Sequence, residues 1–188
     1  MNYDALVIKK YILETFQYEE ETLFHVMNYL CHQGFHINRE QIKGYLSEFL
    51  HKQLIELYDD PSGGQIKFQD SLEEFEDDYW FVLTTLGKKE LLEVKDNIEK
   101  EINSAIDECI GLWWTDKTDE LIEKKFGSNL VKIIKDIYNY VARYEIDWGS
   151  NYMQQALTKL EEDLNKKYPY LESKSLNRLR NCFAYLWK

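Results

Sequence analysis

Tyr79-Trp80-Phe81-Val82-Leu83-Thr84-Thr85-Leu86-Gly87-Lys88-Lys89-Glu90-Leu91 decides how this chain is read. Its first six residues, mostly aromatic or β-branched, have strand character, and the rest reads as the opening of a helix. Upstream, residues 59–78 hold eight acids and one lysine, Lys67, for a net charge of −7. Asp59-Asp60-Pro61-Ser62-Gly63-Gly64 begins that stretch with turn chemistry, Pro presetting φ and Gly permitting positive φ. Ile66, Phe68, Leu72 and Phe75 interrupt the acids and are suited either to pin the loop down or to form a small extra strand. Before the loop, Leu54–Tyr58 has strand character. Further upstream a helix start is encoded by Asn38 as cap and Gln41 three residues on, with Ile37 and Ile42 placed as a hydrophobic staple. The order is helix, strand, acidic loop, strand, helix.

The helix after Asn38 has an apolar stripe of Ile42, Tyr45, Leu46, Phe49 and Leu50, and an opposite face of Arg39, Glu40, Lys43, Ser47, Glu48 and His51. Periodicity predicts two helices before it. The first covers about 3–16, with Ala5, Ile8, Ile12, Thr15 and Phe16 inward. The second covers about 20–32, with Leu23, Val26, Met27 and Leu30 inward and Gly34 as its stop. Glu19–Glu21 suit the positive end of that second helix.

Downstream a long helix is expected over about 86–110, with Leu91, Ile98, Ile102, Ala105, Ile106 and Cys109 on one side. Gly111-Leu112-Trp113-Trp114 breaks it. Helices follow over about 119–126 and, after an interruption at Gly127-Ser128-Asn129, to about 144. Ser150 is placed to cap the next, with Met153, Ala156, Leu157, Leu160 and Leu164 as its stripe and Tyr168-Pro169 as its end. Ser173 is placed to cap the last, with Leu176, Leu179, Phe183, Leu186 and Trp187 on one face. The fold class expected is mainly α with a small β-hairpin, in two parts, 1–90 and 91–188, that share the helix at about 86–110.

The 188 residues, 44% hydrophobic and 30% charged, can bury a globular core. The net charge of −11 is uneven: residues 1–90 carry −9 and residues 91–188 carry −2. An acidic surface disfavours nucleic acid, whose binding needs clustered cations, and suits a basic partner or plain solubility. No apolar run reaches the roughly 20 residues of a membrane span. Asp4 near the start and the lack of a basic-then-apolar leader argue against secretion. Cys31, Cys109 and Cys182 are scattered, as expected of thiols in a reducing cytosol.

No Gly-rich phosphate loop, HExxH, CxxC or GxSxG motif is present. His32 and His36 would share a helix face only if the helix ran through Gly34. Glu48-Phe49-Leu50-His51 matches one half of a di-iron motif that needs two. The paired acids Glu73-Glu74 and Asp77-Asp78 lack the spacing and central Gly of a calcium loop. No catalytic residue, metal ligand or cofactor is therefore assigned. Trp113-Trp114 reads as a core plug at the end of a helical bundle or as an aromatic anchor for a partner.

Two resemblances rest on these residues. The capped helix at Asn38, the strand Leu54–Tyr58 and the aromatic strand running through Thr84-Thr85-Leu86-Gly87 resemble the winged-helix domain of MarR-like and PadR-like regulators. That resemblance implies a wing at 59–78, DNA contacts from Arg39, Lys43, Ser47 and His51, and dimerisation through the helix at about 86–110. The end, Tyr168-Pro169-Tyr170-Leu171 through Phe183-Ala184-Tyr185-Leu186-Trp187-Lys188, resembles small bacterial immunity proteins that neutralise polymorphic toxins by binding them. The acidic wing favours the second implication. The expectation is a cytoplasmic, non-enzymatic, immunity-like inhibitor of a basic protein such as a cognate toxin. It would bind through Asp59, Asp60, Asp70, Glu73, Glu74, Glu76, Asp77 and Asp78, with Trp113 and Trp114 as aromatic contacts. The alternative is a DNA-binding transcription regulator.

Overall fold

The computed structural model describes residues 3–59, 64–66, 79–146 and 152–187. Among them the chain is mainly helical with a small antiparallel sheet. The elements are α1 (Tyr3–Thr15), β1 (Glu21–Thr22), α2 (Leu23–His32), α3 (Arg39–His51), β2 (Ile55–Tyr58), β3 (Gln65–Ile66), β4 (Trp80–Leu83), α4 (Thr85–Cys109), α5 (Asp116–Phe126), α6 (Ser128–Ala142), α7 (Met153–Lys167) and α8 (Ser173–Leu186). They divide into two compact units. One holds residues 8–95, and the other residues 1–7 with 96–188, so α1 and α4 each run through the division.

In the first unit the sheet order is β1-β4-β2-β3. The β2–β4 register sets Ile55 opposite Leu83 and Leu57 opposite Phe81. All four are buried, as the two-residue period requires of one sheet face. Phe16 meets Phe81 at 5.9 Å between ring centres, and Ile12, Leu13, Leu30, Leu46 and Phe49 complete the core. β3 pairs with β2 through Leu57 and Ile66, which realises the small extra strand; Phe68, Leu72 and Phe75 lie outside the described residues.

β1 corrects the expected second helix. Glu21 and Thr22 pair with Phe81 and Trp80, and the helix begins only at Leu23. Thr22 caps it by accepting from the His25 amide at 3.4 Å. Three consecutive glutamates resemble a helix first turn, but pairing with a strand far along the sequence captures the last of them. At the far end of α2, Gly34 takes φ +76°. Its amide donates to Cys31 O and the Phe35 amide to Leu30 O, both at 2.8 Å. This double bond pattern stops the helix and leaves Phe35 buried. Helix geometry therefore ends between His32 and His36.

The α3 cap forms as read: Asn38 Oδ1 accepts from the Gln41 amide at 2.8 Å, and Gln41 Oε1 accepts from the Asn38 amide at 3.3 Å. At its other end Gln53, at φ +57°, turns the chain into β2. Thr84 Oγ1 lies 2.8 Å from Gln53 O and 3.0 Å from Leu54 O, and it accepts from the Gly87 amide at 2.9 Å. One side chain thus caps α4 and ties it to the α3–β2 turn.

The second unit packs α6 on α5 and α8, and α7 on α8. Ile106, Ile122, Leu130, Ile134, Leu160, Leu179 and Phe183 are fully buried. Asp4, from the first turn of α1, caps α6: Oδ1 accepts from the Asn129 amide at 2.8 Å and Oδ2 from Ser128 Oγ at 3.3 Å. The expected three-residue interruption is Gly127 alone, at φ +89°; Ser128 and Asn129 already belong to α6. Helix α5 starts at Asp116, earlier than expected.

Two further caps differ from expectation. Ser150 lies outside the described residues, and the cap of α7 is Tyr152. The cap of α8 is Glu172, and Ser173 is its first helical residue. The shift has a cause: Asn103 of α4, 4% exposed, accepts from the Glu172 amide at 2.8 Å and donates to Tyr170 O at 2.9 Å. These bonds hold the turn extended until residue 172. Leu186 and Trp187, placed by the sequence on the same face as Leu176, Leu179 and Phe183, are each 43% exposed, while Cys182 and Ser175 of the same helix are buried.

Candidate protein-binding groove

The sequence around Phe16 builds a groove in the sheet-bearing unit. Phe16 is anchored on Phe81, and Thr22 and Leu23 are buried. Between these anchors the chain bulges outward, leaving Tyr18 86% exposed and Glu19 and Glu20 exposed beside it. The bulge, the end of α1 and the start of α2 enclose an open groove of about 570 Å³. Its lining is Glu14, Thr15, Tyr18, Glu19, Glu20, Glu21, His25, Tyr29 and Trp80.

Two of the four carboxylates are engaged. Glu14 takes Lys10 and Lys95 at 3.0 Å each. Glu21 meets His25 Nδ1 at 2.5 Å. Glu19 and Glu20 make no ion pair or hydrogen bond among the described residues. Burial, and then the charge of Glu14, push the Tyr29 hydroxyl above its ordinary range. Tyr58 is raised too, first by its hydrogen bond to Glu56 at 3.1 Å, then by burial and the charges of Glu56 and Glu20. Both phenols remain neutral at physiological pH. The Trp80 ring stands edge-on to His25 at 6.4 Å. The groove is thus an aromatic trough with carboxylates along it and, among the described residues, His25 as its one basic residue.

A second groove, of about 450 Å³, lies in the helical unit among Asp136, Asn139, Tyr140, Arg143, Tyr144, Glu145, Lys167 and Tyr168. Lys167 sits 4.2 Å from the centre of the Tyr140 ring. Its two acids balance its two cations.

Of the residues singled out from sequence, Asp59 is exposed just after β2. Asp60, Asp70, Glu73, Glu74, Glu76, Asp77 and Asp78 lie outside the described residues. Arg39, Lys43, Ser47 and His51 fall on one line of α3 at four-residue spacing. Arg39, Lys43 and Ser47 are half-buried on that line, and His51 is exposed with Nδ1 2.8 Å from Ser47 O. Glu48 of the Glu-x-x-His pattern pairs with Lys52.

The two tryptophans separate. Trp114 is half-buried and fixed by its amide on Tyr138 Oη and its Nε1 on Asp119 Oδ1, both at 3.0 Å. Trp113 is 44% exposed and stacks on Tyr185 at 4.8 Å. Among the described residues no three His, Cys, Asp or Glu side chains are grouped to hold a metal ion. None of the described helices is long and apolar enough to cross a membrane.

Sequence reading missed the groove. Its signal, an exposed tyrosine and three glutamates between apolar anchors, is indistinguishable from a helix start until β1 is known to pair with β4. No family model, no curated protein and no solved structure matches the chain.

Proposed function

We propose that this chain is a non-enzymatic binding protein that captures a basic protein, as immunity proteins do with toxins. The acidic aromatic groove carries the reading: four carboxylates and three aromatic rings line it together, with His25 beside them among the described residues. In sequence, the acid-rich stretch 59–78 ends two residues before Trp80, a residue of the groove wall. Acidic surface around an aromatic centre raises the association rate with a basic partner and supplies anchoring contacts once it docks. Occlusion of the partner's own site is the mechanism of inhibition.

A winged-helix scaffold is part of the proposal. What supports it is the element order α1-β1-α2-α3-β2-β3-β4 with β1 beside β4. The helical second unit is read as a bundle. The test is co-expression with the products of the genes that flank its own, followed by size-exclusion chromatography at low and high salt. A salt-sensitive complex that Glu19→Lys with Glu20→Lys disrupts is the expected result. Absence of any complex with those proteins sinks the reading.

A second reading, a DNA-binding regulator, is favoured by one observation, the line of Arg39, Lys43, Ser47 and His51 on α3. Binding to its own promoter region that weakens steeply with salt, and is lost in Lys43→Glu, would support it. Binding absent even at about 50 mM salt would exclude it.

A further inference from the structure

We infer that the groove of the sheet-bearing unit receives an arginine side chain, carried on a short segment of the basic partner. The inference rests on the proposed reading and names the chemistry of its central contact. At about 570 Å³ the groove is larger than one side chain needs and within the range of ligand-binding clefts. Its charge calls for a cation: Glu14 and Glu21 are held by Lys10, Lys95 and His25, but Glu19 and Glu20 have no partner among the described residues. Its walls distinguish between cations. Tyr18, Tyr29 and Trp80 line the same groove as those carboxylates. A guanidinium is planar and weakly hydrated, so it stacks on a ring while its in-plane N–H groups reach a carboxylate. An ammonium is compact and strongly hydrated, and gives up more water for less contact. The engaged carboxylates serve the wall rather than the ligand. Glu14, tied to α1 and α4 by its two lysines, fixes the surface against which the segment lies.

The experiment uses the full chain labelled with 15N and follows the tryptophan indole signals, with Trp80 assigned through Trp80→Phe. The probes are two capped pentapeptides, Gly-Arg-Gly-Arg-Gly and its lysine counterpart. The arginine peptide is expected to shift the Trp80 signal saturably and leave the Trp113 and Trp114 signals in place. The lysine peptide should bind about tenfold more weakly. Glu19→Gln with Glu20→Gln should weaken the arginine peptide about tenfold with unchanged circular dichroism and a melting temperature no lower than the parent's. Equal affinity for both peptides at Trp80 overturns the arginine assignment and leaves the basic-partner reading standing. A Trp80 signal that neither peptide moves overturns the groove as the site, even where the flanking-gene product forms a complex. Failure of that complex as well removes the reading beneath it.

Discussion

A Cβ on Gly87 would lie 2.9 Å from the Leu54 carbonyl carbon, closer still to its oxygen, and 2.6 Å from Leu83 Cδ1. The obstacle is backbone, which cannot rotate away, so α4 approaches the α3–β2 turn only because residue 87 lacks a side chain. Gly87→Ala should lower stability by about 1–3 kcal/mol or more, measured by urea titration. Thr84→Val keeps the shape, loses the cap on the Gly87 amide, and should cost about 1 kcal/mol, whereas Thr84→Ser should be nearly neutral. A Gly87→Ala protein as stable as the parent would show that α4 is free to shift. The three thiols divide on similar grounds. Burial pushes Cys182 up to about 11 and raises Cys109 as well, while Cys31 is exposed. One thiol should react quickly with a disulfide reagent at about pH 8, and two more only after unfolding. The fold favours the protonated Cys182, so its stabilisation is complete below about pH 9 and is lost as pH rises through about 11. Melting temperatures should be flat from about pH 7 to 9 and fall above that. A melting temperature that climbs between about pH 9 and 11 would contradict the burial of Cys182.

At the scale of elements, α6 has no capping side chain of its own, and the Asn129 amide in its first turn is met by Asp4 from α1. A carboxylate at a helix N-terminus gains from hydrogen bonds and from the helix dipole together. Asp4→Ala should therefore destabilise by about 1–2 kcal/mol and Asp4→Asn by less, with amide exchange quickened first in α6. Equal protection of α6 in Asp4→Ala would show the cap to be idle. This contact marks the limit of what sequence can disclose. The α3 cap was legible because Asn38 and Gln41 are three residues apart and interact within one turn. The stripe of α4 was legible because burial follows the helical period. Asp4 and Asn129 are 125 positions apart, and no local pattern joins them. The same holds for β1, whose two residues acquire strand geometry only from Phe81 and Trp80. Glu172 displaced Ser173 as a cap because of Asn103, 69 positions away. The candidate groove depends on β1, so it was hidden for the reason that β1 was.

Charge is the property of the whole molecule that bears most directly on binding. Residues 8–95 hold nine lysines and arginines against seventeen acids, while the other residues hold fourteen against seventeen. The sheet-bearing unit must therefore fold against its own repulsion. Its half-buried pairs, Lys9 with Glu90 and Glu14 with Lys10 and Lys95, are screened less than exposed carboxylates such as Glu19 and Glu20. Added salt should then remove more repulsion than attraction. Raising NaCl from about 10 to about 150 mM shortens the screening length from about 30 to about 8 Å, and the melting temperature should rise by a few degrees. Glu19 and Glu20 test where that cost resides. If they are kept for a partner, Glu19→Lys with Glu20→Lys should bind less yet melt higher at low salt, and the difference should vanish at about 0.5 M NaCl, where screening extends over only a few ångströms. A charge-reversed protein that melts lower at low salt would mean that these two carboxylates stabilise the fold, and their exposure would then have to be explained without a partner.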